Sequence, residues 1–173
     1  MVPTRPHPDR PSIDRRRLLV AAAGFTAAAA VSPAQAAKPD AYADSPWRRV
    51  TDAEWRKRLP AAAYRVLRHE DTERAGTSPL NREKRKGTYH CLGCDLALFS
   101  SATKFESGTG WPSFYRPLPG VLGTKTDYRI GVARTEYHCA RCLGHHGHVF
   151  EDGPRPTGLR YCNNGVALKF VPA

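Results

Sequence analysis

The sequence predicts a mainly β domain with short helices at its N-terminal side and a metal centre built from four cysteines. Three observations carry this expectation. From Gly76 onward glycine and proline recur every few residues, and the apolar runs between them are short and rich in β-branched or aromatic side chains, as in strands joined by tight turns. Before Gly76, apolar residues recur instead at helical spacing. The five cysteines divide into two C-x-x-C pairs, Cys91/Cys94 and Cys139/Cys142, and a single Cys162.

Residues 1–36 read as an export signal. Arg15-Arg16-Arg17 precede an alanine-rich apolar run from Leu19 to Val31, and Ala34-Gln35-Ala36 offers small residues for cleavage. The twin arginine implies export of an already folded protein to the periplasm or another extracytoplasmic space. The apolar run is short for a membrane span, so no stable membrane insertion is expected after cleavage. Residues 37–46, with Pro39, Asp40, Asp44 and Pro46, read as a polar linker, and the folded domain is expected over 47–173.

Thr51 followed by Glu54 has the pattern of a capping box, which starts a helix carrying Trp55 and Leu59 on one face. Pro60 breaks that helix, and a second runs from Ala61 to His69 with Tyr64 and Leu67 inward. Strands are expected at Gly87–His90, Tyr128–Val132, Thr135–His138 and Val166–Val171. Two of them lead directly into cysteine pairs, as in zinc-ribbon knuckles.

The cysteine pairs, 44 residues apart, suit one structural Zn²⁺ with all four positions filled by sulfur and none left for water. Disulfides are the competing reading in an exported protein, but an odd cysteine count and two identical short spacings favour metal. Cys162 is then left over. By itself it is either a small buried apolar group or a nucleophile. Gly144-His-His-Gly-His-Val-Phe150 lies upstream, and its histidines can handle protons near neutral pH; Arg160 is a nearby cation able to favour a thiolate. Lys104-Phe-Glu-Ser-Gly-Thr-Gly-Trp-Pro-Ser-Phe114 reads either as a tight loop fixing Trp111 at the surface of a site or as a turn around a buried core tryptophan. The formal net charge of +11 falls to +8 without residues 1–36, which hold five arginines and two aspartates. The remaining basic residues read as a solvated face, and no nucleic-acid partner is expected.

Taken together, Glu54-Trp-Arg-Lys-Arg-Leu, Lys86-Gly-Thr-Tyr-His-Cys-Leu-Gly-Cys, Lys104-Phe-Glu-Ser-Gly-Thr-Gly-Trp-Pro-Ser-Phe, Gly147-His-Val-Phe-Glu-Asp-Gly-Pro and Pro156-Thr-Gly-Leu-Arg-Tyr-Cys resemble the methionine-R-sulfoxide reductase (MsrB) family from about Trp47 to Pro172. The resemblance implies two antiparallel sheets in a tent-like arrangement. It implies Cys162 as nucleophile, His148, His145 and Asn164 as active-site residues, Trp111 against the substrate methyl group, and Cys91, Cys94, Cys139 and Cys142 on zinc. The implied substrate is an oxidised protein or peptide, the enzyme a monomer. Thr109 stands where many members carry a second, resolving cysteine, so regeneration by an external, thioredoxin-like thiol is expected. His146 and Asn163 replace residues usually apolar in the family, and Asn81 replaces a common aromatic.

Overall fold

The computed structural model describes residues 40–173; the export signal expected over 1–36 and residues 37–39 of the expected linker lie outside them. Residues 40–46 turn back on the domain. Asp40 pairs with Arg48 at 2.6 Å, and Tyr42 packs on the core beneath the Arg141 guanidinium.

α1 (Asp52–Arg58) starts as its sequence requires: the Thr51 hydroxyl accepts from the Glu54 amide, while the Glu54 carboxylate accepts from the Thr51 amide at 2.8 Å. α2 (Ala61–His69) follows Pro60 and ends at Glu70 in a left-handed conformation. Trp55, Leu59, Tyr64 and Leu67 all turn inward, and α2 lies against the strand His145–Phe150 and the 3₁₀ turn at Gly165–Ala167.

Nine strands follow in chain order: β1 (Gly87–Cys91), β2 (Ala97–Ser100), β3 (Lys104–Phe105), β4 (Ser113–Phe114), β5 (Leu122–Asp127), β6 (Arg134–Cys139), β7 (His145–Phe150), β8 (Arg160–Asn163) and β9 (Leu168–Pro172). They form two antiparallel sheets, ordered β2-β1-β9 and β3-β4-β8-β7-β6-β5. Aromatic rings join the sheets. Tyr89 of β1 meets Phe114 of β4 edge-on at 4.8 Å, Phe99 of β2 stacks on Phe114 at 4.5 Å, and Phe99 also reaches Tyr137 and Tyr161. Ring pairs in these geometries add to the burial that holds the layers together.

The strand expected at Tyr128–Val132 is instead the turn between β5 and β6. Its apolar side chains face solvent, and Gly131 takes a positive φ of 78°. The strand lies just before it in Leu122–Asp127. β5 is the sheet's edge, where polar residues are tolerated on an open face, so it lacks the apolar signature that marks buried strands. The segment expected at Val166–Val171 begins as the 3₁₀ turn and becomes strand only at Leu168.

Candidate active site

β1 and β6 each end in a cysteine, and the chain then makes the same turn twice. Cys91 and Cys139 accept from the amides of Asp95 and Leu143, both at 2.9 Å, and Asp95 and Leu143 are both left-handed, with φ of 59° and 60°. The two knuckles face each other. All four sulfurs lie within 4.8 Å of one another and are buried, with Cys91–Cys142 at 3.6 Å and Cys94–Cys139 at 3.4 Å. A tetrahedron of sulfurs at 2.3 Å from one ion has edges of about 3.8 Å, so the cluster fits a four-coordinate metal. Four buried thiolates together need a cation. Arg68 and Arg141 donate to the carbonyls of Cys142 and Cys94, fixing the knuckles to the helices and to each other.

Cys162 belongs elsewhere. It sits on β8 directly opposite His148 of β7, and the same row continues to Glu136 on one side and Ser113 on the other. Directly paired residues share a face of the sheet, their Cβ atoms about 5 Å apart. The rows on either side, with Tyr137 in one and Tyr161 and Phe114 in the other, face the aromatic core. Gly147 makes the close approach possible, since a Cβ there would collide with the Cys162 carbonyl oxygen. Tyr137 donates to that same oxygen at 3.1 Å.

Cys162 and His148 open into a cleft of about 120 Å³ lined also by Trp111, Phe150, Asn164 and Thr72. Trp111 is held by its indole N–H, which donates to the Glu73 carbonyl at 2.8 Å, within a loop turned by Gly108 and Gly110 at positive φ. Asn164 lines the cleft yet is committed to the backbone: Oδ1 accepts from the Glu73 amide at 2.8 Å, and Nδ2 donates to the His146 carbonyl at 3.0 Å. Asn164 and Trp111 therefore grip the two sides of one residue, Glu73. His145 does not line the cleft. It is buried beside His148, ring centroids 5.5 Å apart, with Nδ1 2.8 Å from the Glu136 carboxylate.

The electrostatics rest on residues that the sequence reading passed over. Asp127 lies 2.7 Å from His148 Nε2, accepts from Arg134 at 2.6 Å and from the Arg129 amide at 2.8 Å; those donors hold its carboxyl far below the usual range. Burial lowers His148, and the bond to Asp127 partly restores it, leaving the imidazole below its ordinary value. For Cys162, burial pushes the thiol up, while Arg160 and the Thr109 hydroxyl pull it down without fully compensating. Burial would also raise Glu136, but bonds to His138 and His145 hold it at about 2. A signal for these groups existed. Lys125/Asp127 and Arg134/Glu136/His138 place charges at every second residue, the spacing of one strand face.

The departures from the family pattern also have places. Asn81 donates to the Gly110 carbonyl at 2.8 Å and so supports the Trp111 loop. His146 and Asn163 are fully buried, His146 with neither ring nitrogen partnered.

A partly exposed thiol with an imidazole opposite it, a cation and a hydroxyl beside it, and a tryptophan on the cleft wall defines a thiol-based oxidoreductase on a cysteine-stapled β scaffold. The SelR domain family matches residues 59–172. Proteins named peptide methionine sulfoxide reductase MsrB are similar at length: that of Leptospira interrogans is 54% identical over 121 residues, covering 69% of this chain and 92% of its own. That of Pseudomonas putida is 56% identical over 120 residues, with 69% and 90% covered, and that of Agrobacterium fabrum 50% over 123, with 70% and 91%. The chain belongs to this SelR-domain, MsrB family.

Proposed function

We propose that the domain reduces methionine-R-sulfoxide in proteins to methionine, with Cys162 as nucleophile and His148 as proton donor. The register pair Cys162/His148 at the mouth of one cleft is the observation that carries this reading. With Cys162 raised and His148 lowered, the resting pair at neutral pH is a thiol and a neutral imidazole, one proton between them. Passing that proton to His148 creates the thiolate, which attacks the sulfoxide sulfur while imidazolium protonates the oxygen as charge develops there. A Cys162–sulfur bond forms as the S–O bond breaks and the protonated oxygen departs as hydroxide; hydroxide then adds to the Cys162 sulfur, the S–S bond breaks, methionine leaves as the thioether, and Cys162 becomes a sulfenic acid. Trp111 and Phe150 supply apolar surface for the S-methyl group. Asp127 is a positioning residue that fixes the His148 ring and supports its protonated form.

The sulfenic acid is consumed by an external thiol: attack on the Cys162 sulfur expels water and leaves a mixed disulfide, which a second thiol, thioredoxin-like in the cell, cleaves to restore Cys162. Two features support this route. The other four cysteines share one buried cluster, and the residue acting on the Cys162 thiol from the Trp111 loop is Thr109, a hydroxyl. Cys91, Cys94, Cys139 and Cys142 would hold Zn²⁺, which supplies structure rather than Lewis-acid chemistry because four thiolates fill its coordination. The Arg15-Arg16-Arg17 segment with its apolar run supports export of the folded, metal-loaded monomer by the twin-arginine route.

Turnover on each separated sulfoxide epimer in a peptide, with dithiothreitol as reductant, tests the reading. Reduction of the R epimer is expected; reduction of the S epimer alone, or of neither, overturns it.

A further inference from the structure

Beside the Cys162 cleft lies a second depression of about 550 Å³, between the helices and the β5–β6 loop, and the two share Thr72 and Arg134 in their walls. The far wall carries Arg56 and Ile130. Its loop displays Tyr128, Ile130 and Val132 at 69%, 63% and 64% exposure, three large apolar side chains turned to water within five residues. Clustered exposed apolar groups mark surfaces that something covers. The loop is also held in place: Arg129 donates to the carbonyls of His69 and Glu70, both at 3.0 Å, and Lys125 pairs with Glu70.

The charges of the groove are uneven. Arg65, Arg129 and Arg134 each meet a carboxylate, Asp71, Glu70 and Asp127 respectively. Arg56 has no carboxylate at ion-pair distance among the described residues and lies over the Tyr64 ring at 5.4 Å. A sulfoxide side chain seated at Cys162 fills a cleft of about 120 Å³, so its backbone and neighbours must run along the surface outside. The surface continuous with that cleft is this groove. We propose that it binds the substrate polypeptide on one side of the oxidised methionine and favours apolar and acidic residues there. The inference rests on the sulfoxide reductase reading and adds where the substrate chain lies and which flanking residues it favours.

Steady-state kinetics with dithiothreitol on two substrates test it. One is N-acetyl-methionine-R-sulfoxide amide; the other is an unstructured nonapeptide with a central methionine-R-sulfoxide flanked by leucine and glutamate. Ile130→Ser is expected to raise the peptide KM about 5-fold, and Arg56→Ala about 3-fold, the latter effect fading at high salt. Both variants should reduce the small amide at the wild-type rate. Equal changes on both substrates, or on neither, overturn the groove. A change confined to the KM for thioredoxin, or loss of a dimer in sedimentation of Ile130→Ser, assigns the face to the reductant or to a second copy and overturns it as well. Failure of the wild-type protein on both substrates would instead sink the reductase reading, and fluorescence anisotropy of the labelled peptide then decides the groove separately.

Discussion

Two regions of this domain use the same side chain to opposite ends. In the knuckle cluster four sulfurs lie within 4.8 Å, all buried, each committed to its neighbours. At the cleft one sulfur is partly open to solvent, and its company is an imidazole, a guanidinium and a hydroxyl. Thiolates crowded together and closed to water need a cation and become structure. A lone thiol facing a proton acceptor keeps its reactivity. The environment, not the residue type, sorts the five cysteines.

Breaking each region separately should have distinct consequences. Stripping the metal the four cysteines would hold, by chelation or by Cys139→Ser, would remove a tie of about 10 kcal/mol or more; loss of the cooperative thermal transition in calorimetry, together with loss of the bound metal by mass spectrometry, is expected. Cys162→Ser should leave both untouched while turnover falls at least about 1,000-fold. A Cys162→Ser variant that lost the metal or the thermal transition along with its activity would erase the distinction between the regions. In the wild type after one turnover without added thiol, mass spectrometry should find Cys162 as sulfenic acid, with no disulfide inside the chain.

His146 lies on β7 between the two regions, four residues after Cys142 and two before His148. Burial lowers it from 6.5 to about 4. The unfolded chain takes up this proton first, so the native state loses stability as pH falls from 6.5 to 4, by about 3 kcal/mol in all. His146→Leu should flatten that part of a stability curve measured by denaturant titration. A curve as steep as the wild type would mean that His146 is not the group responsible.

A smaller effect is expected from Asp127→Asn, about 10-fold on kcat. Its sharper readout is the pH profile. The reactive state of the Cys162/His148 pair holds one proton, so kcat/KM falls on the acid side as His148 binds another and on the alkaline side as the last proton leaves. Asp127 raises His148; without it the imidazole drops further and the acid limb moves to lower pH. Arg134, Arg160 and His145 face the pair unchanged in this variant. An unmoved acid limb would leave Asp127 a merely structural role.

Much of this was legible in the sequence because it depends on neighbours along the chain. The α1 capping box, the Pro60 break and both knuckles are local devices, and each formed where Thr51, Pro60 and the C-x-x-C spacings put it. The edge strand β5 was not legible, since a strand half open to solvent has no apolar pattern, and the apolar turn after it drew the strand assignment to itself. Asp127 and Glu136 were hidden for a related reason: nothing along the chain shows that strand pairing buries their carboxylates against histidines. Asn164 was visible as a site residue, but its work, holding Glu73 against Trp111, depends on a contact across 91 positions.

The sequence by itself determined the inventory: four cysteines in two matching turns, one cysteine apart, and histidines fourteen or more residues upstream of it. Only the tertiary structure decided that His148, and not His145 or His146, stands opposite Cys162. That choice is made by the β7–β8 register, with Gly147 allowing the approach, because facing positions on paired strands are set by hydrogen bonding between distant segments and not by spacing along either one.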